Sequence, residues 1–522
     1  MGGMESMEMR DEVTATRRPA PAPSRPATAR LRAGLGGNRG MILAVGLIAF
    51  GVTIGLYVFF TVTHPLSWAF DPVDLRVYRE GGSSIRHIAP FYNPHAKAPL
   101  YSWPHHYTLK FTYPPFAALI FTVLSLPTIQ VMERLWVGVN IVALLVAIWA
   151  TFGGLGYRNW RVRGGATLLV AAVVFWTEPV QRVLFLGQIE LVLLALILWD
   201  VCQPDRRWWK GAGIGIAAGI KLVPLIFIPY LLLTRRFRQA AVASGAFVAT
   251  VVLSFAVVPG DSVKWWLQGL FLQGGRTGFV AWEGNQSLRG IITRFVGSVA
   301  TAAPVWLVVA ALTTVAGLAC AAMLDRYGHR MLGVLACALT GLLVSPISWD
   351  HHWVWIVPAV AVAAHYAAGF FRRPGRARAA GWAALGLGAA IVAIFGAWPG
   401  RLWGSPHDLG SFSRGLIWAP PNTNPNIYYK LGDQPRYVEY HWHGTQLIVG
   451  NLYVLTGIVL LALLMVIAIR AARSRHGPGD QVAGQDQDHR GAPAESSGSG
   501  QAQQLRLAGE ARGLNPPSPG EA

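Results

Sequence analysis

The feature that most constrains the fold is a series of apolar runs separated by short, arginine-rich loops. The hydrocarbon core of a bilayer is spanned by about 20 apolar helical residues. Basic loops, such as 158–163, 235–238 and 372–378, stay on the cytoplasmic side. The runs that fit between the basic loops are 41–62, 134–151, 165–177, 183–201, 211–220, 222–233, 238–258, 302–323, 331–344, 353–368, 379–398 and 447–470. This pattern predicts an all-α polytopic membrane protein with about 12 crossings, in the plasma membrane and with both tails in the cytoplasm.

The composition agrees with a membrane protein. The chain of 522 residues is 53% hydrophobic and 13% charged, whereas soluble chains carry about 25% charged residues. The net charge of +19 comes largely from arginines in loops and tails, so no nucleic-acid partner is expected. Cys202, Cys320 and Cys337 lie in or beside apolar runs and lack the spacing of a disulfide framework or a metal site.

The two ends of the chain differ from its middle. Residues 1–40 are rich in Arg, Ala and Pro, and residues 473–522 in Gly, Gln, Ser and Pro. Both compositions are typical of disordered segments. Residues 41–472 are predicted to form one membrane domain, whose first helix is retained because no convincing cleavage site follows it.

Two apolar segments are ambiguous. Residues 113–127 would break the alternation if they crossed, so they are interpreted as a juxtamembrane or re-entrant helix on the outer side, started by prolines. The runs 211–220 and 222–233 are each too short to cross a bilayer. A hairpin of short helices turning near Lys221 is favoured over one helix kinked at Pro224.

This topology places the unusual polar segments on one outer face. Asp74 lies just beyond the first apolar run and is interpreted as a general base, with an N-cap as the structural alternative. For Asp71 the cap is favoured. Lys221 lies within an apolar stretch, where a lysine is costly unless paired. It is interpreted as a phosphate clamp, with snorkelling to the head groups as the alternative.

Further candidates lie in two later loops. Asn285, Gln286 and Arg289 combine amides with a guanidinium, which suits hydroxyl-rich and phosphate ligands, although a turn cluster explains the spacing nearly as well. His351 and His352 open a helix and can donate to a hydroxyl or phosphate. Because adjacent histidines lack the i, i+4 spacing of a helical metal site, no metal or other cofactor is expected.

Gln188 and Glu190 begin another helix on the same face. A carboxylate suits a helix N-terminus, so structure alone accounts for Glu190. Glu178 and Arg182 are interpreted in the same way, as groups that cap and neutralise a turn.

Six segments together resemble glycosyltransferase family 87, and more closely its actinobacterial polyprenyl-phosphomannose-dependent α-1,2-mannosyltransferases. They are residues 74–78, 113–116, 186–190, 219–224, 283–289 and 345–355. The resemblance implies a GT-C fold with the active site at the outer face. It implies that Asp74 is the essential aspartate and that the 285–286 and 351–352 segments line the site. Tyr113 and Gln188, from two further matching segments, complete the predicted substrate-binding set.

These parts predict an inverting transfer of a hexose, most simply mannose, from a polyprenyl-phosphate sugar to a glycolipid or lipoglycan acceptor, within a membrane lipid environment. Two alternatives stay open: an arabinofuranosyltransferase of the same family, and a lipid or solute transporter. Transporters often show two related halves, and no convincing internal repeat is seen here. A structural subunit with degenerate residues is the third rival.

Overall fold

The computed structural model describes residues 39–63, 71–88, 99–101, 109–273, 276–398, 414–421 and 438–474. Regular structure in these residues is helical, without a β-strand, which confirms the all-α prediction. Described residues up to Ala471 belong to one compact unit. Almost all of the predicted tails, and much of the loops 63–112 and 399–446, lie outside the described residues.

The α-helices are numbered in chain order. They are α1 Arg39–Thr63, α2 Val73–Ile88, α3 Pro115–Phe121, α4 Ile129–Gly154, α5 Trp160–Val174, α6 Glu178–Leu186, α7 Glu190–Val201, α8 Ala212–Ile220, α9 Phe227–Leu233, α10 Phe237–Val257, α11 Pro259–Ser262, α12 Leu288–Val296, α13 Val299–Arg326, α14 Arg330–Val344, α15 Ile356–Phe371, α16 Arg376–Ile394, α17 Thr445–Val449 and α18 Leu452–Arg473. A 3₁₀ turn at Asp350–Trp355 leads directly into α15.

Seven helices in the described part of the chain are long and apolar enough to cross a membrane, with Asp350–Phe371 taken as one. The bent pair α6 and α7, at 119°, makes up to eight. Other predicted runs form shorter helices, such as α5 and α14 with 15 residues and α8 with 9. The sequence therefore predicted more crossings than there are long helices, because apolar runs do not reveal where a helix stops short of about 20 residues.

The described helices alternate in direction between two ends of the molecule. At one end, which we call the basic end, Arg330 lies 3.3 Å from Asp205 and Arg236 lies 2.7 Å from Asp325. At the other, which we call the site end, Lys221 meets residues that begin α7 and α15.

Helices α8 and α9 form the hairpin predicted from their length. Gly211 packs against the start of α10, where an added Cβ would lie 2.2 Å from the carbonyl oxygen of Gln239. Gly219 packs against Thr250, nearly three turns further along α10. The chain then turns at Lys221, and α9 returns to Arg236 at the basic end. Both ends of this segment therefore lie at the basic end, with Lys221 at the turn.

The segment 113–127 stays at the site end. Its helix α3 packs against α2, where an added Cβ at Gly82 would lie 2.2 Å from the carbonyl oxygen of Phe121. Arg79 donates to the carbonyl of Pro127 at 3.1 Å, again from α2. Tyr113, at the other end of the segment, bonds to Tyr78 of α2. Because both ends contact α2, the segment runs along the site end without crossing, as the sequence suggests.

Candidate active site

Lys221 lies at the centre of the polar cluster at the site end. The residue follows the last turn of α8, and its ammonium forms an ion pair with Glu190. It also lies 2.8 Å from Nε2 of His352. The Lys221 side chain is 18% exposed and that of Glu190 is 6% exposed. A carboxylate at the N-terminus of α7 and a cation at the C-terminus of α8 are both favoured by the helix dipoles.

A sharp turn between α6 and α7 brings Gln188 and Glu190 into this cluster. Gly187 ends α6 with φ 70°, a left-handed conformation in which glycine is favoured. An added Cβ there would also lie 2.6 Å from Cβ of Leu75 in α2. The close approach of α2 to this turn is what sets Asp74 beside Gln188.

Two tyrosines hold Gln188 in place next to Asp74. The hydroxyls of Tyr78 and Tyr113 donate to Oε1 of Gln188 at 2.5 and 3.2 Å and lie 2.7 Å from each other. The Gln188 side chain also hydrogen-bonds to Asp74. Asp74 and Tyr78 are four residues apart on α2 and so face the same side. Burial raises the pKa of both tyrosines well above the usual value, which keeps their hydroxyls protonated.

The environment of Asp74 raises the basicity of its carboxylate. Burial raises the pKa of this partly exposed carboxyl to about 6, and the carboxylate of Glu190 acts in the same direction. His351, Gln188 and Lys221 act against that rise. A carboxylate with this pKa is ionised at neutral pH and more basic than an ordinary aspartate.

The histidines enter the cluster through the 3₁₀ turn that precedes α15. Their rings meet edge to face with centroids 4.8 Å apart. Nδ1 of His351 lies 2.8 Å from Oδ1 of Asp350, and a carboxylate can only accept, so Nδ1 carries the proton. Arg182 lies 3.4 Å from the other carboxylate oxygen of Asp350. Asp350 and Arg182 therefore orient His351, whose Nε2 lies 4.0 Å from Glu190.

Some polar atoms of the cluster lack a hydrogen bond to any described residue. Within the described residues, Nε2 of His351 and Oε2 of Glu190 are buried without a hydrogen bond. Buried polar atoms are otherwise almost always paired. The two atoms indicate that a polar ligand completes the site.

Glu190, His351 and His352 could also hold a metal ion. Their ligand atoms lie within 4.8 Å of one another, wider than a single zinc ion with bonds of about 2.0–2.1 Å would gather without adjustment. The ammonium of Lys221 already contacts Glu190 and His352. A metal ion would have to displace that ammonium, so the arrangement favours lysine as the resident cation.

Asn285 and Gln286 are placed differently from the prediction. Oδ1 of Asn285 accepts from the backbone N–H of Ser348 at 3.0 Å. The amide of Gln286 donates to the carbonyls of Glu283 and Gly450 at 2.6 and 2.8 Å. Both residues are fully buried. These hydrogen bonds tie the loop before α12 to the segment that carries the histidines, and none of them reaches Lys221.

Arg289 also lies away from the cluster. Its guanidinium sits over the ring of Trp306 of α13, 5.1 Å from the centroid. The fully buried arginine of α12 is Arg294, which donates to Oδ1 of Asn451 at 2.5 and 3.0 Å. Of the two arginines in α12, the sequence therefore points to the partly exposed Arg289 rather than to the buried Arg294.

Sequence reasoning also overlooked several site residues. Glu190 was explained by the helix dipole alone, yet it is the partner of Lys221. Tyr78 was noted only within a motif. Glu178 accepts from Trp418 and Tyr453 at 2.9 and 2.8 Å. The signal that could have found both glutamates is their position beside apolar runs, where an ionisable group needs a partner.

Comparisons with known proteins identify the family of this chain. Residues 111–346 match the model of Glycosyltransferase family 87. A polyprenol-phosphate-mannose-dependent alpha-(1-2)-phosphatidylinositol pentamannoside mannosyltransferase of Mycolicibacterium smegmatis is 33% identical over 347 residues, 66% of this chain and 78% of that protein. This chain belongs to glycosyltransferase family 87. Within the family match lie Tyr113, Gln188, Glu190 and Lys221, whereas Asp74 and the histidines lie outside it.

Other family 87 relatives carry similar names. A protein of Mycobacterium tuberculosis with the same name is 38% identical over 294 residues, 55% of this chain and 64% of that protein. A polyprenol-phosphate-mannose-dependent alpha-(1-2)-phosphatidylinositol mannoside mannosyltransferase of Mycobacterium tuberculosis is 32% identical over 304 residues, 56% of this chain and 69% of that protein. No solved structure gives a significant match, so the GT-C label stays a prediction.

Proposed function

We propose that this family 87 glycosyltransferase transfers mannose from a polyprenyl-phosphate mannose to a phosphatidylinositol mannoside, forming an α-1,2 linkage. The observation that carries the proposal is that a basic carboxylate, Asp74, lies close to the cluster of Lys221 and the two histidines. Gln188 hydrogen-bonds to Asp74 at this point. Asp74 can accept a proton, and the cluster can hold a phosphate. The names of the relatives supply the sugar, the carrier and the acceptor.

The donor phosphate is proposed to bind between Lys221 and His351. Lysine binds phosphate as a point charge, and the low exposure of the cluster strengthens that attraction. Nε2 of His351, which is buried without a hydrogen-bond partner among the described residues, is assigned to the phosphate oxygens, and the Asp350 carboxylate holds the ring in this orientation. His352, 2.8 Å from the ammonium, keeps Lys221 directed into the site.

The chemical step is a single displacement with inversion. Asp74 takes the proton of the acceptor hydroxyl, and the hydroxyl oxygen attacks C1 of the sugar. The new C1–O bond forms as the bond from C1 to the phosphate oxygen breaks. The bonding pair leaves with the polyprenyl phosphate, whose added negative charge is held by Lys221 and His351. No covalent sugar–enzyme intermediate is needed.

The site end is proposed to face away from the cytoplasm. The loops at the opposite end carry Arg236 and Arg330, as the positive-inside rule expects of cytoplasmic loops. A lipid-linked donor suits this placement, because its isoprenoid tail can lie between helices while its sugar meets the outer surface.

Asn285 and Gln286 are assigned a positioning role. Asn285 pairs with Trp349 in an isolated antiparallel bridge, and Trp349 directly precedes the 3₁₀ turn that contains the two histidines. Gln286 accepts the backbone N–H of Val454 at 3.3 Å, and so joins α18 to the same loop. Arg289 of α12, whose guanidinium lies over Trp306 of α13, is assigned to contact with lipid head groups or the acceptor.

The pH dependence of transfer tests the assignment of Asp74. The active form is ionised, and the raised pKa means that this form is lost as the pH falls through about 6, well above the pKa of an ordinary aspartate. We expect kcat/KM for the donor to rise about tenfold per pH unit below 6 and to level off above 7. A profile that is flat from pH 5 to 8 would contradict Asp74 as the base.

A further inference from the structure

A second polar cluster lies next to the reaction centre, around Tyr101. The hydroxyl of Tyr101 donates to the backbone carbonyl of Tyr113 at 2.8 Å. Its ring stacks on Trp265, with centroids 5.3 Å apart and an angle of 18°. The guanidinium of Arg276 lies 5.9 Å from the centroid of the Tyr101 ring. Because Tyr113 also bonds to Gln188, which in turn bonds to Asp74, two residues link this cluster to Asp74.

The cluster contains buried polar atoms with few partners among the described residues. Asp261 is fully buried, no described side chain hydrogen-bonds to its carboxylate oxygens, and the backbone N–H of Leu100 faces the carboxyl. Nε1 of Trp265 and Nε of Arg276 have no hydrogen-bond partner among the described residues. Burial raises the pKa of the Asp261 carboxyl to about 6, while the nearby Lys264 acts against that rise.

The local backbone adds a second observation. Residues Val263–Leu267, between Asp261 and Arg276, form a π-helical turn. Such turns are rare and occur frequently at functional sites. Trp265 lies within this turn and stacks on Tyr101, so the deviation from α-helical geometry falls at the residue that contacts the cluster.

The chemistry of the unpaired atoms selects the ligand. A carboxylate repels an anion, and a guanidinium repels a metal cation. Carbohydrate hydroxyls both donate and accept, so they can satisfy the carboxylate of Asp261 as well as the N–H groups of Trp265 and Arg276. The cluster therefore fits a neutral, hydroxyl-rich ring.

We propose that Asp261, Trp265 and Arg276 form a subsite for a second sugar ring of the glycolipid acceptor, adjacent to the ring that receives the transferred mannose. The inference rests on the proposed function. The reacting hydroxyl must reach Asp74, and the next ring of the acceptor then extends one layer beyond Tyr113, where Tyr101 and Asp261 lie.

The experiment compares two acceptors that differ by one ring. The probes are octyl α-mannoside and octyl α-1,6-mannobioside, each used with polyprenyl-phosphate mannose and the full chain in lipid nanodiscs. The wild type should prefer the disaccharide. Asp261→Asn should raise the KM for the disaccharide about 10- to 100-fold, the range for loss of a hydrogen bond to a charged group. Its KM for the monosaccharide and for the donor should stay within about twofold.

Two controls keep the test decisive. Gln268→Ala changes an exposed polar side chain of the same segment and should leave both acceptor KM values unchanged. Asp261→Ala should reproduce the selective loss seen with Asp261→Asn. The subsite is refuted if both Asp261 variants keep the wild-type preference for the disaccharide, or if they weaken the two acceptors equally.

Equilibrium binding separates this inference from the proposed function. Saturation-transfer NMR of the two glycosides, without donor, needs no catalysis. Asp261-dependent binding of the disaccharide by a wild type that transfers no mannose would support the subsite and reject the proposed reaction. Mannose transfer by the wild type, with disaccharide binding that the Asp261 variants do not change, would support the proposed reaction and reject the subsite.

Discussion

Asp74→Asn will lower kcat for sugar transfer about 10²- to 10⁴-fold, the usual contribution of a general base. Asparagine has nearly the same shape and can still hydrogen-bond to Gln188, so the donor KM should change little. The loss therefore falls on the chemical step rather than on binding. Steady-state kinetics of the purified variant in nanodiscs, with donor and acceptor varied separately, measures both values.

Asp71→Asn is the matched control for this variant. Asp71 lies three residues earlier, its side chain is 50% exposed, and it lies 3.6 Å from Arg76 at the surface. An exposed ion pair of this kind contributes little to stability, so kcat should stay within about threefold of wild type. Full activity in Asp74→Asn, together with a large loss in Asp71→Asn, would show that the base is Asp71 rather than Asp74.

Lys221→Met will lower kcat/KM for the polyprenyl-phosphate donor about 10²- to 10³-fold, the cost of truncating one partner of a buried charge pair. The variant removes the cation that would face the phosphate. It also leaves the carboxylate of Glu190 uncompensated beside the incoming anion. The acceptor KM should be nearly unchanged, because the acceptor carries its hydroxyl to Asp74 rather than to Lys221.

A double variant tests that reasoning. Lys221→Met with Glu190→Gln removes the repulsion and should regain about tenfold of the lost donor kcat/KM, a coupling within the range for residues in contact. Lys110→Met, at an exposed lysine before α3, is the control and should match wild type. A Lys221→Met variant whose donor KM and kcat are both wild-type would exclude the lysine from the donor site.

The sequence predicted the all-α architecture because the relevant physics is local. Hydropathy locates the apolar helices, and the hairpin at Lys221 followed from two apolar runs that are each too short to cross a bilayer. The structure brings Asp74, Gln188, Lys221, Tyr113 and the histidines together at the site end. What local patterns could not give was the packing by neighbours that lets short helices such as α8 exist.

Three polar residues have partners that the sequence does not reveal. Asn285 and Gln286 resemble ligand-binding amides, but their side chains hydrogen-bond to backbone groups that only the tertiary fold brings near. The sequence assigns Glu190 a structural role at a helix N-terminus, because its partner Lys221 lies 31 residues away. Pairings between distant segments decide which polar residues bind substrate, and no single segment contains that information.

The measurement that tests the central claim most directly is transfer of radiolabelled mannose by the purified wild-type protein. Polyprenyl-phosphate mannose and a phosphatidylinositol mannoside are supplied in nanodiscs, and the product is analysed by linkage. The account predicts a labelled lipid whose new sugar is joined in an α-1,2 bond, with no label moved from a polyprenyl-phosphate arabinose. Transfer from the arabinose donor alone, or movement of lipid across the bilayer without a new glycosidic bond, would contradict it.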